Sequence, residues 1–252
     1  MPSYTSATII SDIHGVFPAL RAVLEEESAN PSEVLIVLGD SLAGPMPNET
    51  CELLQRNATR TAAILGNADR EIMAVHKGEE QFINQGVFRH AADSLNQSSL
   101  RWLEALPGFE SLNLNGIGEV LICHATPQND EDVVVVDSSI ERWNDVFDGL
   151  SENVKLVLLG HTHMPFQRLV NRRRVINPGS VGLPYGGSGA HWVRISDGVI
   201  ETRVTHFDIP GAIEEIVANS GFADARSWAT EMLNSTSSDF DALNRMNPRP
   251  TT

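Results

Sequence analysis

The sequence contains little cysteine and little positive charge. Its 252 residues include 2 cysteines, Cys51 and Cys123, which stand in unrelated contexts. A disulfide-stapled secreted framework is therefore not expected, and two reduced thiols in a cytoplasmic protein are the plain interpretation. Lysine and arginine number 18 against 33 acidic residues, which gives a formal net charge of -15. This balance argues against binding to duplex nucleic acid, which relies on basic side chains that neutralise phosphates.

Long apolar runs are also missing. No run of about 18 apolar residues appears, so neither a membrane span nor a membrane partner is expected. The first 15 residues lack the basic n-region and long apolar core of a signal peptide, which again favours a cytoplasmic location. The acidity does not exclude phosphate substrates, because bound cations can supply the positive charge at a site. The composition leaves the oligomeric state open.

Apolar runs alternate with helical patterns in the first half of the chain, and this predicts a layered α/β core. Strands are predicted at Ala7–Ser11, Val34–Leu38, Thr61–Leu65, Phe109–Leu114, Val120–Cys123 and Val133–Val136, and within Lys155–Met164. Two further hairpins are predicted, at Phe166–Val170 with Arg174–Asn177 and at Ala190–Ile195 with Val199–Thr205. Helices are predicted at Pro18–Ser28, Ser98–Leu106, Pro210–Ser220 and Ala225–Leu233, and from Ser138 or Ser139 to about Leu150. The segment Lys77–Asp93 shows no clear period.

The chain divides by composition into three parts. Residues 1–207 are expected to form the main domain, and residues 208–234 two helices that pack on it. Residues 235–252 are rich in serine, asparagine and proline, which predicts a flexible tail.

Metal-binding residue types follow five of the apolar runs. The blocks are D-x-H at Asp12–His14, G-D at Gly39-Asp40, G-N-x-D at Gly66–Asp69, a lone His124, and G-H-x-H at Gly160–His163. Ligands in α/β folds gather at the carboxyl ends of strands, so we expect these side chains to meet. Period-two alternation would place Asp12 and His14 on one side of their strand. Asp69 has an alternative role as the cap of the following helix.

This set of side chains exceeds what one cation takes from protein. Two aspartates, one asparagine and four histidines suit two borderline metals that share a bridging ligand, the arrangement used for phosphoester hydrolysis. Each block is a weak signal alone, whereas the five in this order are a strong one.

The five blocks resemble those of the calcineurin-like metallophosphoesterase superfamily, from Ser11 to about Gly182. The loop Asn177–Gly182 is similar to that of the small prokaryotic phosphodiesterase-like branch. The resemblance implies a layered sandwich of two mixed β-sheets flanked by helices, with the metal site at the carboxyl ends of strands. It also implies hydrolysis of a small-molecule phosphoester, with a phosphodiester favoured, by a hydroxide that bridges two metals.

The resemblance also implies a ligand set. One metal would be held by Asp12, His14, Asp40 and His163, and the other by Asp40, Asn67, His124 and His161. The metals would be divalent transition ions (Mn, Fe, Zn, Co or Ni, with Mn favoured). Asn67 and His124 are the candidate catalytic side chains, and Asn67 and Arg70 are candidates for contact with a substrate phosphate.

One position departs from the family pattern. Many members have a histidine directly after the asparagine, thought to assist the leaving group, whereas this chain has Ala68. The form with a small residue is similar to bacterial and archaeal members that act on phosphodiesters. Two alternatives remain open: a phosphomonoesterase or nucleotide-polyphosphate hydrolase, and a non-catalytic scaffold with the same fold.

Overall fold

The fold is built from two β-sheets that face each other. The computed structural model describes residues 1–79, 86–234 and 237–246. The strands are β1 (Ser3–Tyr4), β2 (Ser6–Ile10), β3 (Val34–Val37), β4 (Thr61–Ala63), β5 (Phe109–Leu114), β6 (Gly118–Cys123), β7 (Val154–Leu158), β8 (Phe166–Val170), β9 (Arg173–Asn177), β10 (Ala190–Ser196) and β11 (Val199–Thr205).

Both sheets are mixed. One has the strand order β1-β5-β6-β7-β9-β8, and the other has the order β11-β10-β2-β3-β4. Strands β6, β7 and β9 run parallel in the first sheet, and β2, β3 and β4 run parallel in the second. The other pairs are antiparallel, except that β1 runs parallel to β5. The predicted sandwich of two mixed sheets is therefore confirmed.

Helices cover the outer faces of the sandwich. They are α1 (Phe17–Glu27), α2 (Pro47–Arg56), α3 (Asn67–His76), α4 (Gly86–Ser94), α5 (Gln97–Glu104), α6 (Ile140–Val146), α7 (Ile209–Asn219), α8 (Ala225–Leu233) and α9 (Asp239–Met246). The local sequence explains where several of these helices begin. Pro18 lies in the first turn of α1, where a missing N–H costs nothing. Asn96 and Ser139 accept backbone N–H bonds as the caps of α5 and α6.

The core is layered because alternate strand residues point to opposite faces. Within β2, Ile9 lies between the two sheets, whereas Ile10 packs against the outer helices. The outer layer over this sheet includes residues of α1, α7 and α8, and α6 places Trp143 on the outer face of the other sheet. Coverage on both faces explains why the central strands are continuous apolar runs.

Three expectations from the sequence differ from the structure. Val133–Val136 forms no strand; its valines Val134 and Val135 are buried in irregular backbone. The helix after Ser139 ends at Val146, four residues earlier than predicted. Within the predicted flexible tail, Asp239–Met246 forms α9, while residues 235–236 and 247–252 lie outside the described residues.

The segment without a clear period contains α4, and its residues 80–85 lie outside the described ranges. Among the helices of the described ranges, none is both long and apolar enough to cross a bilayer.

Candidate metal centre

The seven predicted ligands follow the carboxyl ends of five strands, six of them in loops and Asn67 at the first residue of α3. Asp12 and His14 follow β2, Asp40 follows β3, Asn67 follows β4, His124 follows β6, and His161 and His163 follow β7. Because the strands within each sheet that carry these loops run parallel, their ends meet at one edge of the sandwich. The structure brings all seven residues together there.

Five of these residues have a left-handed backbone. The φ angles are 52° at Asp12, 50° at His14, 50° at Asp40, 66° at His161 and 56° at His163. Such a backbone costs an L-residue roughly 1–2 kcal/mol. The expected period-two alternation of Asp12 and His14 is therefore wrong, because β2 ends at Ile10 and both residues lie in the turn beyond it.

The first group of donors consists of Asp12, His14 and His163. Their potential ligand atoms all lie within 4.8 Å of one another. His163 Nε2 lies 3.4 Å from Asp12 Oδ1 and 3.1 Å from His14 Nε2. Asp12 and His14 are buried, whereas His163 is half-buried.

The second group consists of Asp40, His124 and His161, again with ligand atoms within 4.8 Å of one another. His124 Nε2 lies 3.4 Å from Asp40 Oδ2 and 3.1 Å from the side-chain oxygen of Asn67. Asp40 Oδ2 also lies 3.7 Å from His14 Nε2 in the first group. Asp40 therefore stands between the two groups.

Three of the histidines are oriented by backbone carbonyls. The Nδ1 atoms of His14, His124 and His163 lie 3.2, 2.7 and 2.9 Å from the carbonyl oxygens of Ala43, Leu38 and Leu183. A carbonyl can only accept, so each Nδ1 carries a proton, and each ring presents a bare Nε2 to the site when it is neutral. This is the orientation of metal-ligating histidines.

The contact between His14 and His163 tests whether the site fits metal. When both rings are neutral, two unprotonated Nε2 atoms face each other at 3.1 Å with no proton to share. Such a pair of lone pairs is stabilised by a cation, which is either a proton on one of the rings or a metal ion. Each group also combines one carboxylate with two imidazoles, a set that suits divalent transition metals. The donors present therefore fit two such ions.

The charged state of the donors is set by their mutual contacts. Burial would raise the pKa of Asp40, but the neighbouring imidazoles of His124 and His14 hold that pKa well below its usual range. Burial would likewise lower the pKa of His124, but Asp40 outweighs it and raises the pKa to about 10. Asp12 raises the pKa of His163 against the effect of burial. Protons and metal ions therefore compete for the same nitrogen atoms.

Asp69 lies next to the second donor group and contacts the backbone that follows Asp40. Its carboxylate is fully buried and accepts hydrogen bonds from the backbone N–H groups of Ser41 (2.9 Å) and Leu42 (2.8 Å). Burial, and then the charge of Asp40, raise the pKa of Asp69 to about 7. The helix-capping alternative is wrong, because the N-cap of α3 is Gly66 and no side chain caps it. Asp69 instead fixes the backbone that directly follows Asp40.

Ala68 faces the interior of the protein. It is 2% exposed and packs in an apolar cluster with Leu42 and Ala43. Its backbone N–H donates to Asp40 Oδ1 at 2.9 Å. This position therefore orients a candidate ligand through its main chain and places no proton donor in the site.

The loop Asn177–Gly182 supports two of the ligand-bearing turns, a role that the sequence did not reveal. Asn177 donates from its side chain to the carbonyl of Gly160 at 2.6 Å. Ser180 Oγ donates to the carbonyl of Asp12 at 2.6 Å, and the N–H of Gly182 donates to the same oxygen at 3.1 Å. The sequence signal was the tight Gly/Pro loop, but its hydrogen-bond partners are distant in the chain.

Arg70, a candidate for substrate contact, is engaged elsewhere. Its guanidinium pairs with Asp130 at 2.8 Å and with Glu131 at 2.6 Å. Two carboxylates thus occupy the donors that a phosphate would need, which weighs against the predicted role.

The fold and the donor set define the class of protein: a metal-dependent phosphoesterase. Residues 6–197 match the model of the calcineurin-like phosphoesterase superfamily domain, and the chain belongs to that superfamily.

Proteins similar to this chain occur in archaea and bacteria. The chain is 27% identical over 236 residues to the protein MJ0912 of Methanocaldococcus jannaschii, covering 84% of this chain and 91% of that protein. It is 26% identical over 201 residues to phosphodiesterase YfcE of Escherichia coli K12, covering 75% and 86%. A metallophosphoesterase structure from Sphaerobacter thermophilus superposes with a TM-score of 0.72 at 22% identity, covering 90% and 98%.

Proposed function

We propose that this phosphoesterase hydrolyses phosphodiesters with two divalent metals. One metal would be held by Asp12, His14, Asp40 and His163, and the other by Asp40, Asn67, His124 and His161. The observation that carries the proposal is the pair of donor groups, each with one carboxylate and two histidines, with Asp40 between them. The similarity to a bacterial phosphodiesterase supports a diester as the substrate.

When bound, the two cations would supply the Lewis acidity that polarises a phosphoryl oxygen and the acidity that activates a water. The chain orients the donors. The Ala68 N–H fixes Asp40, and Nε2 of His124 and the side-chain oxygen of Asn67 face the same point. Two dications outweigh the two carboxylates, so the site would be positive in an otherwise acidic protein and would attract phosphate.

The proposal extends to the identity of the bound metal and to the cellular location of the protein. The mixed carboxylate, amide and imidazole donors suit Mn, Fe, Zn, Co or Ni, and manganese is the ion that we favour among these. A cytoplasmic location is supported by Cys51 and Cys123, which are free thiols buried in the core. The buried Ala68 favours leaving groups that need little help from a proton donor.

The test is hydrolysis of bis(4-nitrophenyl) phosphate by metal-stripped protein, before and after addition of Mn²⁺. We expect a metal-dependent rate that falls at least about 100-fold in His161→Ala, because one ligand is lost. His206→Ala is the matched control, since His206 is exposed and lies outside both donor groups.

Other outcomes would redirect the proposal. A faster rate with 4-nitrophenyl phosphate would establish a phosphomonoesterase. A folded protein with no rate under Mn²⁺, Zn²⁺, Co²⁺ or Ni²⁺, on diester, monoester or dinucleoside polyphosphate, would establish the scaffold alternative.

A further inference from the structure

Helix α9 lies outside residues 6–197, which match the superfamily, yet it contacts a loop that borders the first donor group. Gly186 donates its N–H to the carbonyl of Ser237, just before α9, at 3.0 Å. Arg245, in the last turn of α9, donates from Nη1 to the hydroxyl of Tyr185 at 3.2 Å. The helix therefore docks on the loop that follows the Asn177–Gly182 turn.

Tyr185 connects α9 to the first donor group. Its N–H donates to the carbonyl of His163 at 3.3 Å, and the two rings lie 6.3 Å apart. His163 is half-buried, whereas Asp12 and His14 are buried, so the first group opens to solvent on the His163 side. Tyr185 therefore lies beside this opening, and Arg245 contacts the far end of its side chain.

The charge around Arg245 differs from that around the other arginines near the site. Arg70 is paired with two carboxylates, and Arg142 is paired with Asp132 at 3.0 Å. Within the described ranges Arg245 forms no direct salt bridge, although the charge of Asp241 on the same helix acts on it, and its hydrogen-bond acceptor is the neutral phenol of Tyr185. A guanidinium gains more from an anionic acceptor than from a neutral one, and a phosphate accepts two parallel bonds from it.

We propose that Tyr185 and Arg245 form an outer subsite that binds a second phosphate of the substrate. This inference rests on the proposed function and narrows the substrate class. The substrates would be phosphodiesters that carry a further phosphate group, such as a nucleotide diester with a second phosphate on the sugar. Arg245 binds the anion, and the Tyr185 hydroxyl orients the guanidinium.

The experiment compares two substrates of the metal-loaded enzyme. They are thymidine 5′-(4-nitrophenyl phosphate) and the same compound with a 3′-phosphate. We expect the native enzyme to favour the 3′-phosphorylated compound by about 10- to 100-fold in kcat/KM, expressed mainly in KM, as for one bidentate charge-assisted contact. Arg245→Ala should bring the ratio close to one, and Arg245→Lys should keep part of it.

Arg226→Ala is the matched control. Arg226 is an exposed arginine of α8 paired with Glu214, so its removal changes the net charge equally but leaves the opening intact. Its substrate ratio should equal that of the native enzyme. Tyr185→Phe should lower the ratio by a smaller factor of about three, because the anion contact remains.

The outcomes separate the subsite from the catalytic proposal. Hydrolysis of both compounds at equal kcat/KM, or an unchanged ratio in Arg245→Ala, overturns the subsite and leaves the phosphodiesterase standing. If neither compound is cleaved, the catalytic proposal fails, and calorimetry decides the subsite alone. Thymidine 3′,5′-bisphosphate should then bind more tightly than thymidine 5′-phosphate, and Arg245→Ala should abolish the difference; equal binding of the two by the native protein overturns the subsite.

Discussion

Replacing Asp69 by alanine tests whether this buried carboxylate holds the ligand-bearing turn after β3. Asp69 accepts hydrogen bonds from two backbone N–H groups, at Ser41 and Leu42, and both of these residues are fully buried. The substitution leaves both donors without an acceptor, because alanine has none. Asp40 directly precedes Ser41, so its position as a candidate bridging ligand depends on the same backbone.

The size of the effect follows from these contacts. An orphaned buried N–H costs about 1–3 kcal/mol, so two of them cost roughly 2–6 kcal/mol. Part of this is offset, because burial of the Asp69 carboxylate, and then its repulsion from Asp40, disfavour the charged form and raise the pKa of Asp69 to about 7. We therefore expect Asp69→Ala to lower the free energy of unfolding by about 2–4 kcal/mol. Asp69→Asn, which keeps one acceptor oxygen, should lose about half as much.

Urea unfolding of the metal-free protein, followed by circular dichroism, measures this free energy without the contribution of bound ions. Asp93→Ala is the control, since Asp93 forms an exposed i,i+4 pair with Arg89 and its removal should cost at most about 0.5 kcal/mol. The reasoning is refuted if Asp69→Ala shifts the unfolding midpoint no further than Asp93→Ala does.

Two further predictions concern the metal centre. Metal-free His124, with a pKa of about 10, is protonated at pH 7.5 and must lose that proton to bind a metal. Calorimetric titration with Mn²⁺ should therefore show release of about one proton or more, and metal affinity should rise with pH; a binding enthalpy independent of the buffer would contradict this. Gly66→Ala should reduce Mn²⁺-dependent activity at least about 100-fold, because the added Cβ would lie 2.2 Å from Asp40 Oδ1. Gly187→Ala meets open space and should leave the rate unchanged, and equal rates for the two variants would show that the close approach at Gly66 is unimportant.

The sequence predicted the architecture, and it predicted that the candidate ligands meet at one edge of the sandwich, because both depend on local signals. Apolar runs that end in Gly-Asp or Gly-His mark a buried strand and its carboxyl end within a few residues. The parallel directions of neighbouring strands then bring those ends together. Each strand end is therefore recognised from residues adjacent in the chain, and the general rule for parallel strands supplies the rest.

The sequence could not predict features that depend on distant contacts. The left-handed turn at Asp12 is fixed by the carbonyl of Gly39 and by Ser180, far along the chain. The capping role predicted as an alternative for Asp69 is wrong because the buried N–H groups that Asp69 satisfies belong to another loop. The segment Val133–Val136 has strand composition but finds no neighbouring strand, so its irregular backbone reflects tertiary context.

The left-handed backbone at five of the candidate ligands bears on how such a sequence changes over generations. Substituting glycine at any of these positions would remove a steric cost of about 1 kcal/mol or more, but would also remove a donor. A lineage released from the need for catalysis would therefore drift towards more stable, donor-poor descendants. This chain has a donor side chain at each of the five left-handed positions, as expected where selection for activity outweighs the gain in stability.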